Sequence, residues 1–203
     1  MPRRKLFRAL SFLLFPISYS LISVLSPAQT RPRLLPTPRE EHFDQSADLS
    51  TRILITVPGH DAEDEFAARD LEEAVKRIAP DSPESPTTQP PYRVTLLRRD
   101  SAEAKTALTR ANLAFDPAME SEGYVLILSP REATIVGATG SGVFYGVQTL
   151  KQLLPLPGTP RTFPTGTIRD WPAMMYRGIH DDLSRGPFPT LAFQEHQIRV
   201  FAA

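Results

Sequence analysis

A chain of 203 residues, 41% of them hydrophobic, is long enough for one domain with a real core, or for one domain and part of another. Its 23 basic and 23 acidic residues cancel, but four of the basic ones (Arg3, Arg4, Lys5, Arg8) lie within the first 28 residues with no acid beside them; without that stretch 19 basic face 23 acidic residues, a net charge of −4. A mildly acidic body has no general attraction for nucleic acid or anionic lipid, and a chain without cysteine forms neither disulfides nor thiolate metal sites.

Residues 1–28 have the three parts of an export signal. A basic start, MPRRKLFR, leads into the apolar run ALSFLLFPISYSLISVL and then Ser26-Pro27-Ala28, with small residues at −3 and −1. An uncleaved membrane anchor is the competing reading, since the run nearly suffices to span a bilayer. Pro16 and the small-residue ending favour cleavage. Either way the remainder is expected outside the cytoplasm, in the periplasm or beyond, with the membrane met only through this segment.

Residues 29–50 read as a proline-rich lead-in with one short strand at Arg33–Leu35. Thr51–Val57 is a β-branched run expected as a buried strand. Asp61 stands where a helix N-cap belongs, followed by Glu63, Asp64 and Glu65 where the helix dipole favours acids. Ala67, Leu71, Ala74, Val75 and Ile78 then share one helical face, and Pro80 closes the helix. A proline-rich loop leads to the strand Tyr92–Leu97. Residues 101–121 hold at most one short helix. Gly123–Ser129 and Glu132–Gly137 form a predicted hairpin about Pro130-Arg131.

Gly140-Ser141-Gly142 opens a second helix lined by Val143, Val147, Leu150 and Leu154 and stopped by Pro155. A glycine-rich helix start suggests a phosphate cradle, but no lysine or Ser/Thr pair follows, so a structural turn is the simpler reading. The β-α-β-β-β-α order predicts an α/β fold over 31–158: a two-layer sandwich of mixed or antiparallel sheet with two helices. Residues 159–172 read as a linker. Residues 173–203 read as a separate unit ending in a helix over 191–203, uncapped, as the start of something larger would be.

Chemistry concentrates in Arg177-Gly-Ile-His-Asp-Asp-Leu-Ser-Arg185. His180 with Asp181 or Asp182 could supply metal ligands, although adjacent strand residues point to opposite faces. Asp181 and Asp182 could form a carboxylate pair, although acids flanking a glycosidic bond converge from about 5 to 10 Å apart. Ser184 could be a nucleophile, but no nucleophile elbow surrounds it. Salt-bridged residues at a strand end are the plain alternative. A fourth reading has Arg177, on a strand, offering its rigid donor fork to hydroxyl oxygens.

Two motifs together resemble bacterial β-N-acetylhexosaminidases of glycoside hydrolase family 20. Gly140-Ser-Gly-Val-Phe-Tyr-Gly-Val-Gln-Thr-Leu-Lys-Gln-Leu-Leu154 is similar to the last helix of that family's front α/β domain. Ile168-Arg-Asp-Trp-Pro172, with Tyr176-Arg177-Gly178 and Asp182-Leu-Ser-Arg185, is similar to its first barrel strand and the following loop. The resemblance implies that Arg177 binds hydroxyls of a terminal N-acetylhexosamine and that Asp182 and Arg185 shape the mouth of a TIM barrel begun at 173–203. Gly186-Pro187 departs from the family's usual histidine and aromatic. The resemblance also implies a substrate-assisted, retaining mechanism whose Asp-Glu pair lies beyond Ala203, with no metal or cofactor. On that reading this chain alone is inactive. The alternatives are an exported module that binds carbohydrate or protein without cleaving it, and the front domain of a related glycosidase of family 84 or α-glucuronidase type.

Overall fold

Largely apolar runs at 92–98, 124–128 and 132–137 build the centre of one sheet. The computed structural model describes residues 32–49, 52–78, 90–180, 182, 184 and 186–202; the segment 1–28, read as an export signal, and most of the proline-rich loop fall outside these. In chain order the elements are β1 (Glu40–Asp48), β2 (Ile53–Thr56), α1 (Ala62–Ile78), β3 (Tyr92–Arg98), α2 (Ala102–Ala111), a 3-10 turn (Pro117–Met119), β4 (Tyr124–Leu128), β5 (Glu132–Gly137), α3 (Gly140–Leu153), β6 (Thr162–Asp170) and α4 (Leu191–Ala202). The six strands form a single mixed sheet in the order β1-β6-β4-β5-β3-β2. β2, β3 and β5 run parallel; β4 is antiparallel to β5 and β6, and β6 to β1.

The β4–β5 hairpin and helices α1 and α3 form as the sequence predicts. Leu126 and Ile135 are fully buried and meet Leu71 of α1 and Val143, Val147 and Leu150 of α3 on one face of the sheet. Gly142 and Gly146, one turn apart, let α3 lie close to the strands. A β-carbon on Gly142 would collide with the carbonyl oxygen of Gly123, and one on Gly146 would stand 2.5 Å from Ile135 Cγ2. The Thr139 hydroxyl accepts the Gly142 amide at 3.3 Å as the N-cap. Glu63 Oε2 lies against Gly140, so the protein sets its own anion beside this helix start, and the motif works as a structural turn.

Five expectations need correction. The 159–172 linker is instead largely β6, a nine-residue strand inside the sheet, with Phe163 1% exposed and Ile168 fully buried. Ile168-Arg-Asp170, whose motif resembles the approach to a first barrel strand, closes this same strand, and the domain therefore runs past 158. Residues 33–35 form no strand. Leu35 instead exchanges two 2.9 Å hydrogen bonds with the Gln152 side chain at the end of α3, and the strand of this region is β1. The 51–57 strand is shorter than predicted and lies at the sheet's edge, half exposed, rather than buried. Nor is the sandwich two-layered with two helices. α2 and the 3-10 turn cover part of the opposite face, where Leu97, Val125 and Val136 pack against Ala104 and Met119. α4 buries none of its residues. No helix among the described residues is long and apolar enough to cross a membrane.

Candidate functional site

Arg177 follows β6 on backbone with no regular secondary structure; the described residues of 171–190 contain no strand. The expectation of an arginine projecting from a strand is therefore corrected, because among the described residues nothing beside 174–180 supplies a ladder of backbone partners. Its guanidinium is fixed by side chains of the sandwich instead. Nη2 donates to Glu122 Oε2 at 2.5 Å and to the Tyr145 hydroxyl at 3.5 Å, while Nη1 donates to the Met174 carbonyl at 2.8 Å. The Arg177 Cζ stands 5.8 Å from the centre of the Tyr145 ring, within reach of its electron-rich face. The hydrogen bond to Glu122 raises the arginine's already high pKa further, so it stays a cation throughout the working pH range.

Asp182 is exposed, and its Oδ1 accepts the Ser184 amide at 2.9 Å. Hydrogen bonds from the Ser184 side chain and backbone hold its carboxyl below the usual range. Arg185 and Asp181 lie outside the described residues, so the structure joins Asp182 to Ser184 but does not bring it to Arg177. Among the described residues no three His, Cys, Asp or Glu side chains converge as a metal-ligand set.

Sequence reasoning missed the partners. Glu122 is 55 residues from Arg177, in the tight turn before β4, and nothing local ties the two. It also missed the role of Asp170-Trp171-Pro172. Asp170 Oδ1 accepts the Arg39 amide at 3.1 Å, Arg39 Nε donates to the Trp171 carbonyl at 2.9 Å, and the Arg39 guanidinium lies 5.0 Å from the Trp171 ring centre. This motif fastens the approach to β1 to the end of β6. A third cluster lies at the start of α1, where Arg98 Nε donates to the buried Asp64 at 2.7 Å and Nη2 reaches Glu63 and Asp61 at 3.2 and 3.3 Å. The acids read as dipole partners of the helix therefore also share a cation from the end of β3.

The mixed sheet with helices on both faces is a fold this chain shares with solved structures of CpGH84B and of the Flavobacterium johnsoniae chitobiase FjGH20. The first superposes with a TM-score of 0.62 at 20% identity, covering 84% of this chain and 28% of that one. The second has a TM-score of 0.55 at 18% identity, covering 83% and 25%. At such identities the likeness is one of fold. Sequence settles the family: residues 31–171 match the family model of glycosyl hydrolase family 20, domain 2, and the chain belongs to that family. A β-hexosaminidase of Porphyromonas gingivalis is 40% identical over 74 residues, covering 33% of this chain and 10% of the relative. One of Akkermansia muciniphila is 32% identical over 96 residues, covering 47% and 19%. The chain thus spans a fifth or less of the curated relatives' length. The match running to residue 171 agrees with β6 as an integral strand.

Proposed function

We propose that this chain is the front section of an exported glycosidase that removes terminal N-acetylhexosamine from glycans. The match of 31–171 to family 20, beside relatives named β-hexosaminidase, carries the reading. On this reading residues 1–28 direct export, the sandwich braces a catalytic barrel begun at 173–203, and Arg177 binds sugar hydroxyls, with Asp182 and Arg185 shaping the barrel mouth. The family's chemistry is substrate-assisted. The acetamido oxygen attacks the anomeric carbon as an acid protonates the departing oxygen, and water then opens the cyclic intermediate with retention, outside the usual pattern of two protein carboxylates.

The test uses the complete gene product on chromogenic β-glycosides. A 2-acetamido substrate is expected to be cleaved with kcat/KM at least about a hundredfold above its 2-hydroxy analogue, which lacks the internal nucleophile. Arg177→Ala is expected to raise KM about tenfold or more, the scale of a lost charge-assisted hydrogen bond. Equal turnover of both substrates would overturn substrate assistance, and a wild-type KM in the variant would overturn the role of Arg177.

A further inference from the structure

The geometry points to Glu122 and Tyr145 as positioning residues for Arg177, so that the sandwich domain itself sets the sugar-binding guanidinium in place; this rests on the function proposed above. Arg177 sits on irregular backbone, and among the described residues neither a strand ladder nor a helix fixes its side chain. Three contacts do: Glu122 at 2.5 Å, the Tyr145 hydroxyl at 3.5 Å and the Met174 carbonyl at 2.8 Å.

Two of these partners stand on rigid ground. Gly123, next to Glu122, donates its amide to the Met119 carbonyl at 3.0 Å, and a β-carbon on Gly123 would overlap Met119, so the turn that carries Glu122 is closely packed. Tyr145 belongs to α3, and its ring lies edge-on to Phe144 with centroids 5.8 Å apart. Phe144 in turn stacks on Phe66 of α1 at 6.1 Å. The aromatic row therefore carries the order of two packed helices out to the guanidinium. A long, rotamer-rich side chain already held in one pose loses less freedom when a ligand arrives, and so binds it more tightly. Sugar hydroxyls are neutral and weak partners, so the benefit falls on ground-state binding and appears in KM.

The test is steady-state kinetics of Glu122→Ala, Glu122→Gln and Tyr145→Phe in the complete gene product, with a melting curve for each. Glu122→Ala is expected to raise KM for a 2-acetamido-β-glycoside about tenfold, and Tyr145→Phe about threefold, with kcat changed less than about twofold. Glu122→Gln, which keeps an acceptor but loses the charge, is expected to fall between wild type and Glu122→Ala. A merely structural role would lower the melting temperature and the active fraction without this split. KM values within about twofold of wild type in all three variants, beside a raised KM in Arg177→Ala, would overturn the positioning role and leave the proposed function standing. A complete gene product that cleaves no such glycoside would overturn both.

Discussion

Gly166→Ala is expected to destabilise the protein by at least about 3 kcal/mol in urea unfolding. Gly166 has φ +141°, a conformation L side chains rarely adopt, and a β-carbon there would strike the carbonyl oxygen of His42 and come within 2.9 Å of Phe43 Cα. Both obstacles are backbone of β1, and no rotamer change relieves them. β1 also carries an irregularity between Phe43 and Ser46, directly opposite, so the strand and its glycine fit as one unit. Moving β1 away would uncover β6, which supplies Phe163 and Ile168 to the core. Gly178→Ala is the control. Nothing lies within 4 Å of its β-carbon position and its φ is not positive, so its effect should stay within about 0.5 kcal/mol. Equal tolerance at both sites would mean that residues 162–170 behave as a connector and not as a strand.

Arg98→Gln is expected to cost about 3 kcal/mol at pH 7 and less on acidification. Asp64 is 2% exposed, its Oδ2 accepts from Arg98 at 2.7 Å, and its Oδ1 is buried with no hydrogen-bond partner among the described residues. Burial raises the Asp64 pKa above its ordinary value, against the pull of Arg98. The folded protein therefore takes up a proton here more readily than the unfolded chain. The group's contribution to stability falls as pH rises through the raised value, and it recovers as pH drops back. Without Arg98 the raising influence acts unopposed. The gap between variant and wild type should widen from pH 4 to pH 7, when Asp64 must be buried as an unpaired anion. A gap that is constant with pH would show that Arg98 matters for packing alone.

What could be read from the sequence follows from how each element is solvated. α1 and α3 bury one stripe each, so their period and their starts at Asp61 and Gly140 stand out; the Thr139 cap of α3 shows only in the structure. The β4 run Tyr-Val-Leu-Ile-Leu is apolar on both sides; it signals a strand, and read further it signals burial on both faces, which is where α2 and the 3-10 turn fit. β1 was hidden because it is an edge strand of sequence EEHFDQSAD with seven of nine residues exposed, so no alternation marks it. β6 was hidden by Pro164 and Gly166, which usually punctuate loops. β4 pairs with β6 only from Gly166 onward, so Pro164 sits where one side of the strand has no β4 partner and its missing N–H is harmless. Arg177 was legible as a candidate from its motif, but Glu122 and Tyr145 were not. Their meeting depends on how the turn before β4 and the start of α3 come together in space.

The most direct test sets the 203-residue chain beside any longer product of its gene on a chromogenic 2-acetamido-2-deoxy-β-glycoside. The proposed function predicts turnover by a product that includes a catalytic barrel and none above background by the 203-residue chain. Cleavage by the 203-residue chain unaided, at a rate like that of the longer product, would contradict it.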